Sequence, residues 1–271
     1  MEKKVFGYPS FVRKEMVLTT YENEYRDMLM DIRVYRMDEN EQLEFQSKNE
    51  EIAVLLLQGK ITFVCEEIQQ VASRRSVFLD GPFAIHASHD HVVQIIAHEK
   101  SEIIVQKTMN HAAFPTKLYA PEDAPWKYSS QGWYGNVANR RVNTIFDHDI
   151  QPASNMVLGE VLNDPGNWSG YLPHRHPQPE CYFFLFDHPE GFGASFIGDQ
   201  VYKSIDHSFS AIPGGKLHPQ SAAPGYQMYT CWMIRHLEQQ PWLQSDRCED
   251  EAYTWLHDAP YDKAVNAFIK K

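Results

Sequence analysis

A chain of 271 residues is long enough for two ordinary domains or one large β domain, and too long for a disulfide-stapled miniature fold. Its hydrophobic fraction of 43%, with 14 Gly and 16 Pro, excludes wholesale disorder, collagen and low-complexity classes. Lys and Arg number 25 against 36 Asp and Glu, and the resulting net charge of −11, with no basic cluster, excludes nucleic acid and anionic membrane as natural partners.

The N-terminal stretch MEKKVFGYPSFVRKEM has no apolar run of signal-peptide length behind it, so secretion by that route is not expected. No run of about 18 apolar residues occurs, so no transmembrane helix is expected either. Short stretches rich in Val, Ile, Phe and Tyr, broken by Gly, Pro, Asn and Asp, predict strands at 53–57 and 61–65, with Gln58-Gly59-Lys60 as the hairpin turn between them. Further strands are expected at 76–79, 91–97 and 103–106. The stretch 110–127, with Pro115, Pro121 and Pro125, interrupts this rhythm and reads as a linker. Strands then resume at 156–162, 181–186, 193–197, 208–212 and 227–234, and 262–271 is compatible with a helix. The fold class is all-β, and the simplest parse is two tandem β-barrels: 1–113, a linker at 114–127, and 128–271. Cys65, Cys181, Cys231 and Cys248 form no CxxC pair, which argues against a zinc ribbon, a redox motif or a disulfide framework. Free thiols in a reducing cytoplasm fit best.

The chemistry is concentrated in the second half. In Gly170-Tyr171-Leu172-Pro173-His174-Arg175-His176-Pro177-Gln178-Pro179-Glu180, the two histidines lie two apart on an extended segment and share a face, and Glu180 opens the next apolar strand. Downstream, Pro213-Gly214-Gly215-Lys216-Leu217-His218 gives a turn and a further histidine. His174, His176, Glu180 and His218 form a ligand set for one divalent metal per chain, for which zinc, manganese, iron and nickel all remain open. An isolated HxH is usually a pair of ordinary loop histidines. His89-Asp90-His91 in the first half is such a case, because no carboxylate or later histidine completes it. His86, His89 and His91 are expected in a polar turn of a barrel without a metal.

HxH, a following Glu and PxGxxH together resemble the two motifs of the cupin superfamily, which implies a jelly-roll-like barrel with the metal inside. The run 167–176, preceded by Met156-Val157-Leu158-Gly159-Glu160-Val161, resembles the 5-deoxy-glucuronate isomerase family of inositol catabolism. Gly191-Phe192-Gly193, 222–226, 55–60, 75–78 and 135–145 are similar to it too, so the resemblance spans nearly the whole chain as a bicupin. The 5-dehydro-4-deoxy-glucuronate isomerases of pectin breakdown are also similar, around 180–184. Three features depart from the first family, one of them being Arg235-His236-Leu237 where the family has Ala-Gly-Pro after the last barrel strand. The spacer between HxH and Glu is only Pro177-Gln178-Pro179, and Tyr182-Phe183-Phe184 follows instead of Tyr-Tyr-His-Arg.

The resemblance implies an aldose–ketose isomerase acting on a sugar acid, with 5-deoxy-glucuronate as the first substrate and other uronates as alternatives. Such a reaction needs a Lewis acid on the substrate oxygens and a proton carrier. Tyr182, sharing the inward face of Glu180, and Tyr229, on the last barrel strand, are the candidates for that carrier. The implied substrate carboxylate needs a cation, for which Arg140, Arg141 and Lys216 are the candidates. A metal-dependent dioxygenase and a non-catalytic sugar-binding cupin are the competing classes, and a homo-oligomer is left open.

Overall fold

The computed structural model describes residues 3–257, so the stretch 262–271 lies outside the described residues. The first half builds a nine-stranded antiparallel sheet that curls on itself. Its central path runs Lys117–Tyr119, Ala84–Ala87, Glu50–Cys65, Ser101–Met109, Asp31–Met37, Glu15–Thr19, with Gln42–Gln46, Ile68–Arg74 and Val92–Ala97 joined at its side. The second half sets a seven-stranded sheet, centred on Glu180–Phe186, Met228–Arg235 and Met156–Asn163, against a four-stranded one that includes Phe192–Ile197 and Gln220–Ala222. Phe6–Gly7, from the start of the chain, completes the second barrel by pairing with Phe209–Ile212. No helix among the described residues is long and apolar enough to cross a membrane.

The expected hairpin at Gln58-Gly59-Lys60 does not exist; Glu50–Cys65 is one continuous strand of 16 residues. Gly59 sits at φ 110°, beside a register shift between Leu56 and Gln58, and bends the strand from one side of the barrel to the other. Before the bend it pairs with Ser101–Met109 and Ala84–Ala87, and after it with Ile68–Arg74 and Val92–Ala97. Any Cβ at position 59 would collide with Ser101. The hairpin turn falls instead at Glu66-Glu67, where Cys65 pairs with Ile68. Residues 76–79 are likewise a turn rather than a strand: the Ser76 hydroxyl accepts the Phe78 N–H, and the Ser76 carbonyl accepts Leu79 and Asp80 N–H groups.

Strands whose residues are buried on both faces explain the long apolar runs. Val54 and Leu56 fill the first barrel, while Ala53, Leu55 and Leu57 enter an apolar layer shared by the two barrels. In the second barrel Tyr182, Phe184 and Phe186 point inward, and Cys181, Phe183 and Leu185 join the shared layer. Two buried polar groups cross that layer. Arg74 of the first barrel makes a two-pronged contact with Glu160 of the second, at 2.8 and 3.1 Å, and Glu51 of the first accepts from Ser154 and Asn155 of the second.

Candidate metal centre

His174–Arg175 is a two-residue strand, so alternation buries His174 and His176 while Arg175 between them stays exposed. Glu180 starts the strand Glu180–Phe186, held between Ile212 and Ile234. The turn before His218 is stitched to the first motif: Gly215 N–H donates to the His176 carbonyl at 2.7 Å. Gly214 lies so close to the Pro177 carbonyl that any side chain there would collide with it. The short spacer Pro177-Gln178-Pro179 thus packs directly on the turn that delivers the last histidine.

One donor atom each from His176, Glu180 and His218 falls within 4.8 Å of the others. Glu180 Oε2 lies 3.2 Å from His176 Nε2 and 3.3 Å from His218 Nε2. The His174 ring stands edge-on to His218 with centroids 4.7 Å apart, placing the fourth expected ligand beside the group. Backbone carbonyls set the tautomers we assign. His174 Nδ1–H donates to the Leu172 carbonyl at 2.9 Å and His218 Nδ1–H to the Lys216 carbonyl at 2.8 Å, which leaves each Nε2 with a free lone pair. Burial, then the neighbouring His218 and Arg247 charges, holds His174 well below the ordinary histidine range; burial also lowers His218. Both are neutral, which is the ligating form. His218 Nε2 is buried without a hydrogen-bond partner. Neutral imidazoles with free lone pairs around one carboxylate fit a divalent metal.

A cavity of about 480 Å³ opens over this group, lined among others by Arg140, Arg247, Tyr182, Gln220, Trp232 and Trp242. That volume suits a small polar metabolite. Tyr182 is buried beside His218, ring centroids 6.0 Å apart, and burial followed by the Glu180 charge raises its phenol far above the ordinary tyrosine value. It therefore keeps its proton at neutral pH.

The structure separates the remaining expected residues. Tyr229 is not in the cavity: alternation along Met228–Arg235 turns Trp232 inward and Tyr229 into the shared layer, where its hydroxyl donates to Glu160 at 2.7 Å. Arg141 follows Arg140 on the same strand and so faces the other way, outside the cavity lining. Lys216 is exposed, and only its carbonyl serves the site. In the first half His86 is not in a turn; it is buried on strand Ala84–Ala87, with Nε2 2.8 Å from Glu51. His89 contacts Asp90 and the His111 carbonyl, His91 contacts Glu66, and among the described residues these histidines form no metal-type cluster. Trp242, Gln244 and Arg247 were missed because they lie in a stretch without strand periodicity. They reach the cavity because Cys248–Glu249 pairs with His174–Arg175, a long-range contact that no local pattern signals.

Two tandem barrels, with a histidine–glutamate group inside the second, define a bicupin. An IolB-like protein from Salmonella typhimurium LT2 shares the fold, with TM-score 0.81 at 16% identity over 94% of this chain and 99% of that one. Lactobacillus farciminis oxalate decarboxylase does so at TM-score 0.67 and 9% identity, over 98% and 94% of the two chains. The chain belongs to the KduI/IolB family, whose model matches residues 8–256. Among curated relatives, the 5-deoxy-glucuronate isomerase of Geobacillus kaustophilus is 29% identical over 72% of this chain and 75% of its own length. That of Bacillus subtilis strain 168 is 30% identical over 67% and 72%.

Proposed function

We propose that this protein is a metal-dependent aldose–ketose isomerase of a sugar acid, acting on 5-deoxy-glucuronate in inositol catabolism. The observation that carries the reading is the cluster of His176, Glu180 and His218, with His174 beside it, at one end of a cavity walled by two arginines. The relatives named for that reaction add the substrate. His174, His176, Glu180 and His218 would hold one divalent metal, which supplies Lewis-acid polarisation of the substrate carbonyl and adjacent hydroxyl. The chain's own groups do the rest. Tyr182 holds a proton at its phenol oxygen next to Glu180, where it can be given to a substrate oxygen as the carbonyl moves. Trp232 and Trp242 give the cavity an apolar aromatic wall. The reaction is internally balanced: one proton moves from the carbon next to the aldehyde to the former aldehyde carbon, and the proton Tyr182 gives to the carbonyl oxygen is returned to it from the neighbouring hydroxyl as that becomes the new carbonyl, so no redox cofactor is required. The free cysteines support work in the cytoplasm.

Metal-loaded protein incubated with 5-deoxy-glucuronate, followed by NMR, should yield the ketose without oxygen uptake. Oxygen consumption in place of isomerisation would move the protein to the dioxygenase class, and binding without turnover to the sensor class. His218→Ala should lose metal and activity while keeping the fold; changing His89 and His91 together to Ala should leave both intact. Metal lost only from the first-barrel double variant would place the site in the wrong barrel.

A further inference from the structure

We infer that Arg140 and Arg247 form a paired seat for the carboxylate of the substrate, and that Arg247 is delivered to it by the chain's own C-terminal return strand. The inference rests on the sugar-acid reading for the identity of the anion, but its geometry is independent of the reaction. Both arginines line the cavity. Arg140 is only 7% exposed, yet its partners are all neutral: the Ser130 hydroxyl at 3.1 Å and the carbonyls of Ala138 and Tyr171 at 3.1 and 3.4 Å. Arg247 Nε is buried without a partner. Its Nη2 lies 2.9 Å from His174 Nδ1, a neutral ring that does not balance the guanidinium charge. Neither arginine forms an ion pair with any described residue. The buried Arg74, by contrast, is fully engaged by Glu160.

Two unpaired guanidiniums side by side are costly without an anion. Burial, and then the charge of Arg247, pushes Arg140 down to about 10. The acids on the cavity wall are committed elsewhere. Asp123 accepts the Ala120 N–H, Asp147 accepts the Ile150 N–H, and Glu180 faces His176 and His218. An external carboxylate is the missing partner, and a planar fork matches it in two-pronged fashion. A protein of net charge −11 repels acids at long range, so capture has to be local. Arg247 is fixed there by backbone: Cys248–Glu249 pairs with His174–Arg175, and Asp250 N–H donates to the Pro173 carbonyl at 3.0 Å.

Calorimetric titration of metal-loaded protein with D-glucuronate and with its neutral isostere D-glucuronamide tests this at equilibrium, without turnover. Wild type should prefer the acid by roughly 30-fold or more, the value of one charge-assisted two-pronged contact. Arg140→Gln and Arg247→Gln should each remove most of that preference while leaving glucuronamide binding and metal content unchanged, and Arg247→Lys should restore part of it. Equal affinity for the two ligands, no binding of either by wild type, or an Arg247→Gln protein that keeps the preference would overturn the seat. So would an Arg247→Gln protein that loses its metal, because Arg247 would then act by positioning His174. Charge-dependent binding without ketose formation would sink the isomerase reading and leave the seat standing; ketose formation with no charge preference would do the reverse.

Discussion

Each barrel buries a glutamate against histidine, and the two differ in what else the carboxylate meets. Glu51 is saturated: it accepts from His86 Nε2 and the Ser154 hydroxyl at 2.8 Å each, the Asn155 N–H at 2.6 Å and the Asn110 side chain at 3.2 Å. Its histidine is clamped flat on Phe146, ring centroids 4.0 Å apart. Glu180 instead faces His176 and His218 at 3.2 and 3.3 Å, beside an orphaned His218 Nε2 and an open cavity. A buried carboxylate is normally met by donors, so Glu180, which faces histidine nitrogens and a cavity, is the one placed for a ligand. The saturated Glu51 carboxylate ties the two barrels together.

Removing the charge from each glutamate should separate these roles with the largest effects available. Glu180→Gln should cut isomerase activity at least about a thousandfold, the several kcal/mol that Lewis-acid polarisation supplies, with metal content falling in parallel and thermal stability little changed. Glu51→Gln should cost about 3 kcal/mol of unfolding free energy, since its donors lose a charged acceptor shared between barrels, while metal stoichiometry stays at wild type. Loss of metal from Glu51→Gln, with a stable fold, would erase the distinction.

A glycine in each barrel sharpens the same contrast at smaller magnitude. Gly214→Ala would collide with the Pro177 carbonyl and shift His176 against His218, so metal affinity should fall about 10- to 100-fold, in the range seen when ligand-orienting partners are lost. Gly59→Ala meets Ser101 at a positive φ and should cost about 1–3 kcal/mol of stability without touching metal affinity. Chelator competition and denaturant melts read the two separately.

The grouping of His176, Glu180 and His218 was legible because its signals are local: i, i+2 histidines on an extended segment, a glutamate opening a strand, a glycine turn before the last histidine. The barrels were legible from strand rhythm and resemblance. What failed was long-range or a matter of parity. Gln58-Gly59-Lys60 has hairpin chemistry, but Gly59 is used for a bend within one strand, a choice settled by partners as distant as Ser101 and Arg74. Tyr229 sits on the expected strand on the wrong face, because both faces are apolar and alternation is invisible where each is buried. Arg247 depends on a two-residue strand returning across the first motif, too short to leave a periodic trace.

The smallest effect expected concerns how the barrels hold together as pH changes. His207 of the second barrel has Nδ1 2.6 Å from Asp206 and Nε2 2.9 Å from Glu102 of the first barrel, which also pairs with Arg36. Burial disfavours the charged ring, but the two carboxylates outweigh it and raise His207 to about 9. A raised folded value means the bridge contributes fully below the unfolded histidine value of about 6.5, weakens between there and about 9, and is lost above that. Because the ring is partly exposed, solvent screening holds the contribution to about 2 kcal/mol at most. Unfolding free energy should therefore decline across that window in wild type, while His207→Gln should be flatter and less stable than wild type only on the acid side. A difference between the two proteins that stays constant from pH 6 to pH 10 would show that His207 acts through packing against Phe11 and Phe183 rather than through its charge.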